Sequence, residues 1–207
     1  MEYFSLLFST FYNTLEKIWP MLLLFFAVVT ILRISNIIMN HEHTVFYKEF
    51  YNIVFLFYLL SLYYLLLGTE NGASTGLNLI PFREITRFDF GSKMFIYNTV
   101  GNIILFMPFG YFASSFTHNK KILPISIITI LISLTAELIQ YKIGRAFDID
   151  DILLNYIGSI LGFLVYDLII VIKDHLPNII RKDWFYNLIA CAVLIGIAYI
   201  VAIGMKV

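Results

Sequence analysis

The chain has 207 residues, of which 60% are hydrophobic and 14% charged, with a mean hydropathy of +0.84. A soluble domain is about 45–50% apolar and about 25% charged, so this composition specifies an integral membrane protein. Basic and acidic residues number 14 each, which gives no electrostatic case for a nucleic-acid partner.

From the N-terminus, Phe4, Phe8, Phe11 and Leu15 recur at helical spacing. They predict an amphipathic segment over 1–17, either an interfacial helix or an extension of the first span. The first lysine is Lys17, so the basic n-region of a signal peptide is missing and no cleaved leader is expected. Charge-free runs at 50–69, 94–117 and 184–205 each approach or exceed the roughly 20 residues of a spanning helix. Residues 18–36, 122–141 and 152–172 are also apolar, with Arg33, Glu137 and Asp167 near their ends. The expected fold is an all-α, multi-pass bundle of about six transmembrane helices. It divides into 1–17, two spans in 18–67, a core over 68–172 with a long loop and three spans, and 173–207 with a basic loop and a last span. His41-x-His43 reads as a polar turn after the first span. Cys191, the single cysteine, lies in an apolar run and leaves no intrachain disulfide to form.

The long loop, 68–93, opens with turn chemistry, Asn71-Gly72 and Gly76. Its second half interleaves apolar and charged residues, with Arg83 and Arg87 at i, i+4. Two readings follow. It is an amphipathic helix on the membrane starting near Pro81, or a lid whose arginines grip phosphate or carboxylate bidentately. In the next span Asn98 and Asn102 share a face, and Pro108 should kink or break the helix by removing the bond to residue 104. The asparagines either bond neighbouring helices or complete a pocket.

Chemistry concentrates in 133–162. Ser133, Glu137 and Gln140 share one helical face, and Asp151, Asn155, Ser159 and Gly162 form a second stripe. As a hairpin, the two stripes meet at one depth, where polar groups must pair or serve a purpose. Asp148 suits the N-cap of the fifth span, with Asp151 at N3 as a capping box and Phe147 with Ile152 as a staple. Asp150 and Asp151 favour the positive end of the helix dipole. Gly158 and Gly162 permit close helix packing. Glu137 should pair with Arg145 or Arg83, or stay neutral through desolvation. Glu137, Asp148 and Asp151 include enough carboxylates for Mg²⁺ or Ca²⁺, but their spacing matches no dedicated metal motif, so no cofactor is expected.

Four motifs stand in order: N-L-I-P-F at 78–82, N-I-I-L-F-M-P-F-G at 102–110, S-L-T-A-E-L-I-Q at 133–140 and D-I-D-D-I-L-L-N-Y-I-G at 148–158. Together they resemble the VanZ-like family of small bacterial membrane proteins, over roughly 78–165. The first two spans and the last lie outside that resemblance. The family is named for a member associated with resistance to teicoplanin-type glycopeptides, which implies a role in the cell envelope and a place in the bacterial membrane.

Three function classes follow. The first is binding of an anionic lipid or lipid-linked wall-precursor headgroup, with Arg83, Arg87 and Arg145 supplying charge and Asn98, Asn102, Gln140, Asp148 and Asn155 completing the pocket. The second is an enzyme acting on such a headgroup, with Glu137 and Asp151 as acid and base; no nucleophile pattern accompanies them. The third is a transporter or flippase, against which counts the gathering of polar groups at one end. Charge counts on the two sides are equal under the positive-inside rule. Once the motif arginines are discounted, Gly72 and Gly144 are expected outside, with Lys120 and Lys182 inside.

Overall fold

A computed structural model describes residues 2–67, 76–118 and 121–204. Two positions of the expected topology, Gly72 and Lys120, lie outside them. The elements in order are α1 (Glu2–Asn40), α2 (Phe46–Leu67), β1 (Leu77–Asn78), α3 (Lys93–Phe95), a π-helical turn (Ile96–Val100), α4 (Gly101–Thr117), α5 (Ile122–Lys142), β2 (Phe147–Asp148), α6 (Ile149–His175) and α7 (Asp183–Gly204). Five helical stretches are long and apolar enough to cross a membrane: Glu16–Asn40, Phe46–Leu67, Lys93–Thr117, Ile122–Lys142 and Ile149–His175. The sixth expected span is α7, whose described apolar stretch, Asp183–Ile197, is shorter. The protein is therefore an all-α, multi-pass membrane protein.

Local structure adds to or departs from the sequence reading in three places. Residues 81–87 form successive turns, not an amphipathic helix. The backbone there is spent on bonds to side chains elsewhere, which competes with the helical ladder. Pro108 lies inside α4 without ending it. One carbonyl along from the residue that Pro108 deprives of a donor, Leu105 O accepts a 2.9 Å bond from the Tyr58 hydroxyl, the kind of neighbouring donor that lets proline persist in a membrane helix. Finally, β1 and β2 pair in parallel, Leu77 with Phe147 and Asn78 with Asp148, too short a bridge to leave any alternation in the sequence.

The chain forms two compact units. The first comprises Met1–Pro20 and Tyr58–Ile170. Its apolar centre is Leu62, Phe106 and Phe109, flanked by Tyr58, Leu66, Leu105, Ala113 and Ile128. Helices α4 and α6 touch backbone to backbone. A Cβ on Gly110 would lie 1.9 Å from Ser159 O, one on Gly158 2.2 Å from Ile103 O, and one on Gly162 1.9 Å from Met107 O. Helices α5 and α6 are joined by polar rungs. Thr129 Oγ1 lies 2.6 Å from Ser159 Oγ, Asn155 Nδ2 donates to Ser133 Oγ at 2.8 Å, and Ser126 Oγ donates to the Tyr156 hydroxyl at 3.3 Å. Such bonds hold helices together where lipid offers no hydrophobic drive. Of the two stripes read from helical spacing, Ser133 and Asn155 meet directly, while Gly162 and Asp151 face α4.

The second unit comprises Met21–Phe57 and Val171–Val207. Arg33, placed by its sequence at the end of a span, binds Glu49 bidentately with two 2.9 Å bonds and meets Glu42 at 3.0 Å. The planar fork accounts for an arginine at that depth. Around Tyr47, its N–H donates to Asn187 Oδ1 at 2.9 Å and its hydroxyl to Asp183 Oδ1 at 3.3 Å.

Candidate functional site

The site begins where α5 ends. Gly144 adopts φ 90°, its N–H donates to Tyr141 O at 3.2 Å and the Arg145 N–H to Gln140 O at 3.0 Å. This is a Schellman ending, and it needs a residue free to take the left-handed conformation. The turn delivers β2 beside β1, and Phe147 N donates to Gly76 O at 3.0 Å.

Asp148 caps α6 as its sequence suggests, its Oδ1 accepting from Asp150 N at 2.9 Å. The same oxygen accepts from Asn78 Nδ2 at 2.8 Å, tying the long loop to the cap. Burial pushes the Asp148 carboxyl above its ordinary value, while these two bonds pull it down. The expected capping box is not closed by Asp151. The Asp148 N–H goes instead to Glu137 Oε2 at 2.9 Å, and Asp151 Oδ1 accepts from Asn102 Nδ2 at 2.6 Å. Phe147 and Ile152, the expected staple, are both buried.

Glu137 is 2% exposed, and a backbone donor, the Asp148 N–H, meets its carboxyl. Arg145 donates from Nη1 to Leu66 O at 2.8 Å, and Gln140 donates to the same carbonyl at 2.8 Å. These two residues tether the end of α2 to the hairpin. Asn155 is 2% exposed, and its Oδ1 finds no hydrogen-bond partner among the described residues. Glu137→Gln keeps an oxygen for the Asp148 N–H, whereas Glu137→Leu removes it. In detergent melts the glutamine variant should stay within about 1 kcal/mol of the parent and the leucine variant lose about 1–3 kcal/mol. Equal losses would show that the backbone bond is not what Glu137 contributes.

Helical spacing predicts for Asp150 only a favourable place at the helix dipole; in the structure it organises the loop. It is 1% exposed. Its Oδ1 accepts from Phe82 N at 2.5 Å, and its Oδ2 from Glu84 N at 2.7 Å and Ile85 N at 3.2 Å. Phe82 takes φ 66°, a left-handed conformation costly for a bulky residue, at the turn where these N–H groups converge on one carboxylate. Only the middle acid of D-I-D-D hints at this in the sequence. At about 100° from Asp151 around the helix, it faces away from the stripe containing Asn155.

Between this loop and the helices lies a cavity of about 230 Å³, lined by Glu84, Ile85, Arg87, Phe88, Asn98, Thr99, Asp148, Asp150, Asp151 and Leu154. Asn98 and Thr99 belong to the π-helical turn. The wider turn alters the helical phase where it faces the cavity; π-bulges often occur at functional sites. Of the residues singled out from sequence, Arg87, Asn98, Asp148 and Asp151 line this cavity. Asn102 is one hydrogen bond behind Asp151. Glu137, Gln140 and Asn155 are buried within the helix packing, and Arg83 is exposed on the loop. Arg87 pairs with Glu84 at 3.0 Å on the rim. Helical stripes and motifs do not single out Glu84, Ile85, Phe88, Thr99, Asp150 or Leu154 as lining residues.

Comparison with known proteins gives a consistent picture. Protein VanZ of Enterococcus faecium is 33% identical over 112 residues, 53% of this chain and 64% of that protein's length. No solved structure matches the chain. The VanZ/LLP1 family model matches residues 53–171. The likeness thus begins earlier than the motifs alone indicate and takes in most of α2, whose Leu62 packs in the core and whose Leu66 carbonyl receives Gln140 and Arg145. With more than half of its residues covered by that model, the chain belongs to the VanZ/LLP1 family.

Proposed function

We propose that the cavity binds the headgroup of an anionic membrane lipid or of a lipid-linked wall precursor. The observation that carries this reading is the lining itself: Ile85, Phe88 and Leu154 provide apolar wall, and Arg87 and Asn98 stand with four acids, Glu84, Asp148, Asp150 and Asp151, of which Glu84 is paired with Arg87 and Asp150 with the loop backbone. That mixture is the usual make-up of a small-molecule site. Arg87, with Arg83 on the same exposed turn, takes the phosphate. Asp148, Asp151 and Asn98 take hydroxyl or amino groups of the same headgroup. The volume of about 230 Å³ falls below the ~300–1,000 Å³ of a typical drug-sized site. It suits a headgroup and is too small for a whole glycopeptide. Any effect on susceptibility to teicoplanin-type antibiotics would therefore run through the envelope lipid, not through the drug.

The test uses the purified full chain in detergent with two probes, phosphatidylglycerol and a polyprenyl phosphate, and native mass spectrometry as readout. Retention of one probe over the other identifies the source of the headgroup. Arg87→Gln and Asp151→Asn are each expected to weaken retention about tenfold, ~1.4 kcal/mol. The side-chain amide of the Asp151→Asn variant still offers an oxygen to Asn102, so folding should be preserved. Unchanged retention of both probes in both variants would overturn the proposal.

A further inference from the structure

The stretch from Leu79 to Phe90 sorts its side chains by character. Glu84, Ile85 and Phe88 line the cavity, whereas Leu79, Ile80, Phe82 and Phe90 are 58%, 61%, 61% and 92% exposed. Single exposed apolar residues are common on any protein, but several gathered on one short stretch mark a contact surface. The exposed Met94 and Tyr97 carry this surface onto the start of the third span.

Six backbone N–H groups of the same stretch are bonded within the protein. The N–H groups of Phe82, Glu84 and Ile85 end on the Asp150 carboxylate. That of Ile80 reaches Asn78 Oδ1 at 3.4 Å, that of Thr86 reaches Phe82 O at 3.1 Å, and that of Arg87 reaches Glu84 O at 3.2 Å. The Thr86 hydroxyl also donates to Phe82 O at 2.7 Å. A loop in water does not need a buried acid for this, because water satisfies its donors. Bonding within the protein lowers the cost of bringing such N–H groups out of bulk water and into the less polar layer beside lipid.

We propose that Leu79–Phe90 is a lip seated in the interfacial layer of the bilayer. Its apolar side chains enter the upper acyl region, and Arg83 and Arg87 sit at the level of the lipid phosphates. The partner surface is the leaflet itself, chosen by continuity with the lipid-facing spans and by an apolar stretch that carries Arg83 exposed beside the Arg87–Glu84 pair. This inference does not rest on what the cavity binds. Its consequence is that one wall of the cavity lies against lipid.

The experiment places bimane on single cysteines in the full chain with Cys191→Ala, using Ile80→Cys, Phe82→Cys and Phe90→Cys, with Asn178→Cys as the exposed reference. The labelled proteins are reconstituted in nanodiscs of phosphatidylcholine and phosphatidylglycerol, whose two faces are both open to solvent. All three loop side chains are exposed, so their replacement removes no buried packing. Shallow lipid-borne nitroxide should quench the three loop positions several-fold more strongly than aqueous iodide, with the order reversed at position 178. Iodide quenching at the loop equal to that at position 178, without lipid quenching, would overturn the proposal. So would quenching by deep nitroxide alone, which would make the stretch a membrane-buried segment and not an interfacial lip.

Discussion

Gly162→Ala is expected to lower the melting temperature of the purified protein sharply. The new Cβ would stand 1.9 Å from Met107 O, 2.7 Å from Tyr111 N and 2.9 Å from Met107 C. All three are backbone atoms, so no side-chain rotation relieves the collision. The helices must separate, and Gly158 against Ile103 and Gly110 against Ser159 lose their contact in the same movement. Overpacking costs about 1–3 kcal/mol and occasionally more, and a backbone obstacle places this case at or beyond the upper end. Gly196→Ala is the control, because its Cβ meets nothing within 4 Å. That control should leave stability unchanged or raise it slightly, since alanine favours helix over glycine by about 0.8–1.0 kcal/mol. Thermal unfolding followed by size-exclusion in detergent compares the two. Equal melting of both variants would contradict the close approach of α4 and α6.

The parts of this molecule that hydropathy and helical period encode are legible in its sequence. The apolar runs mark the helices, and Ser133, Glu137 and Asn155 can be placed on facing stripes because a helix has a fixed period. The Asp148 cap is legible for the same reason, being a local bond two residues long. The remainder depends on partners that no local pattern names. Glu137 and Asp150 are answered by backbone N–H groups, and every residue type except proline carries one. The donors to Asp150 lie more than 60 residues earlier, in a segment whose charge alternation mimics an amphipathic helix. The π-helical turn at Ile96–Val100 has the same apolar composition as the α-helix around it. Arg145 also donates to the Leu66 carbonyl, an acceptor visible only once α2 is in place.

Asp150→Ala should release the loop while leaving the helices folded. The substitution removes the acceptor for three backbone N–H groups at once. An unsatisfied buried donor costs about 1–3 kcal/mol. Water entering behind the opened loop offsets part of that, leaving a local loss of about 3 kcal/mol, or ~100-fold in the opening equilibrium. Asp150→Asn should fall between the parent and the alanine variant. Its oxygen can still accept from Phe82, but its amide presents a donor to the donors of Glu84 and Ile85. Hydrogen–deuterium exchange reads this directly. Amides 82, 84 and 85 should exchange about two orders of magnitude faster in the alanine variant, while those around Thr129 and Ser159 keep their protection. Acceleration at both places would mean that Asp150 supports the whole unit and not the loop alone. Unchanged exchange at 82, 84 and 85 would mean that the carboxylate does not hold the loop, and the reason for its burial at the head of α6 would have to be sought elsewhere.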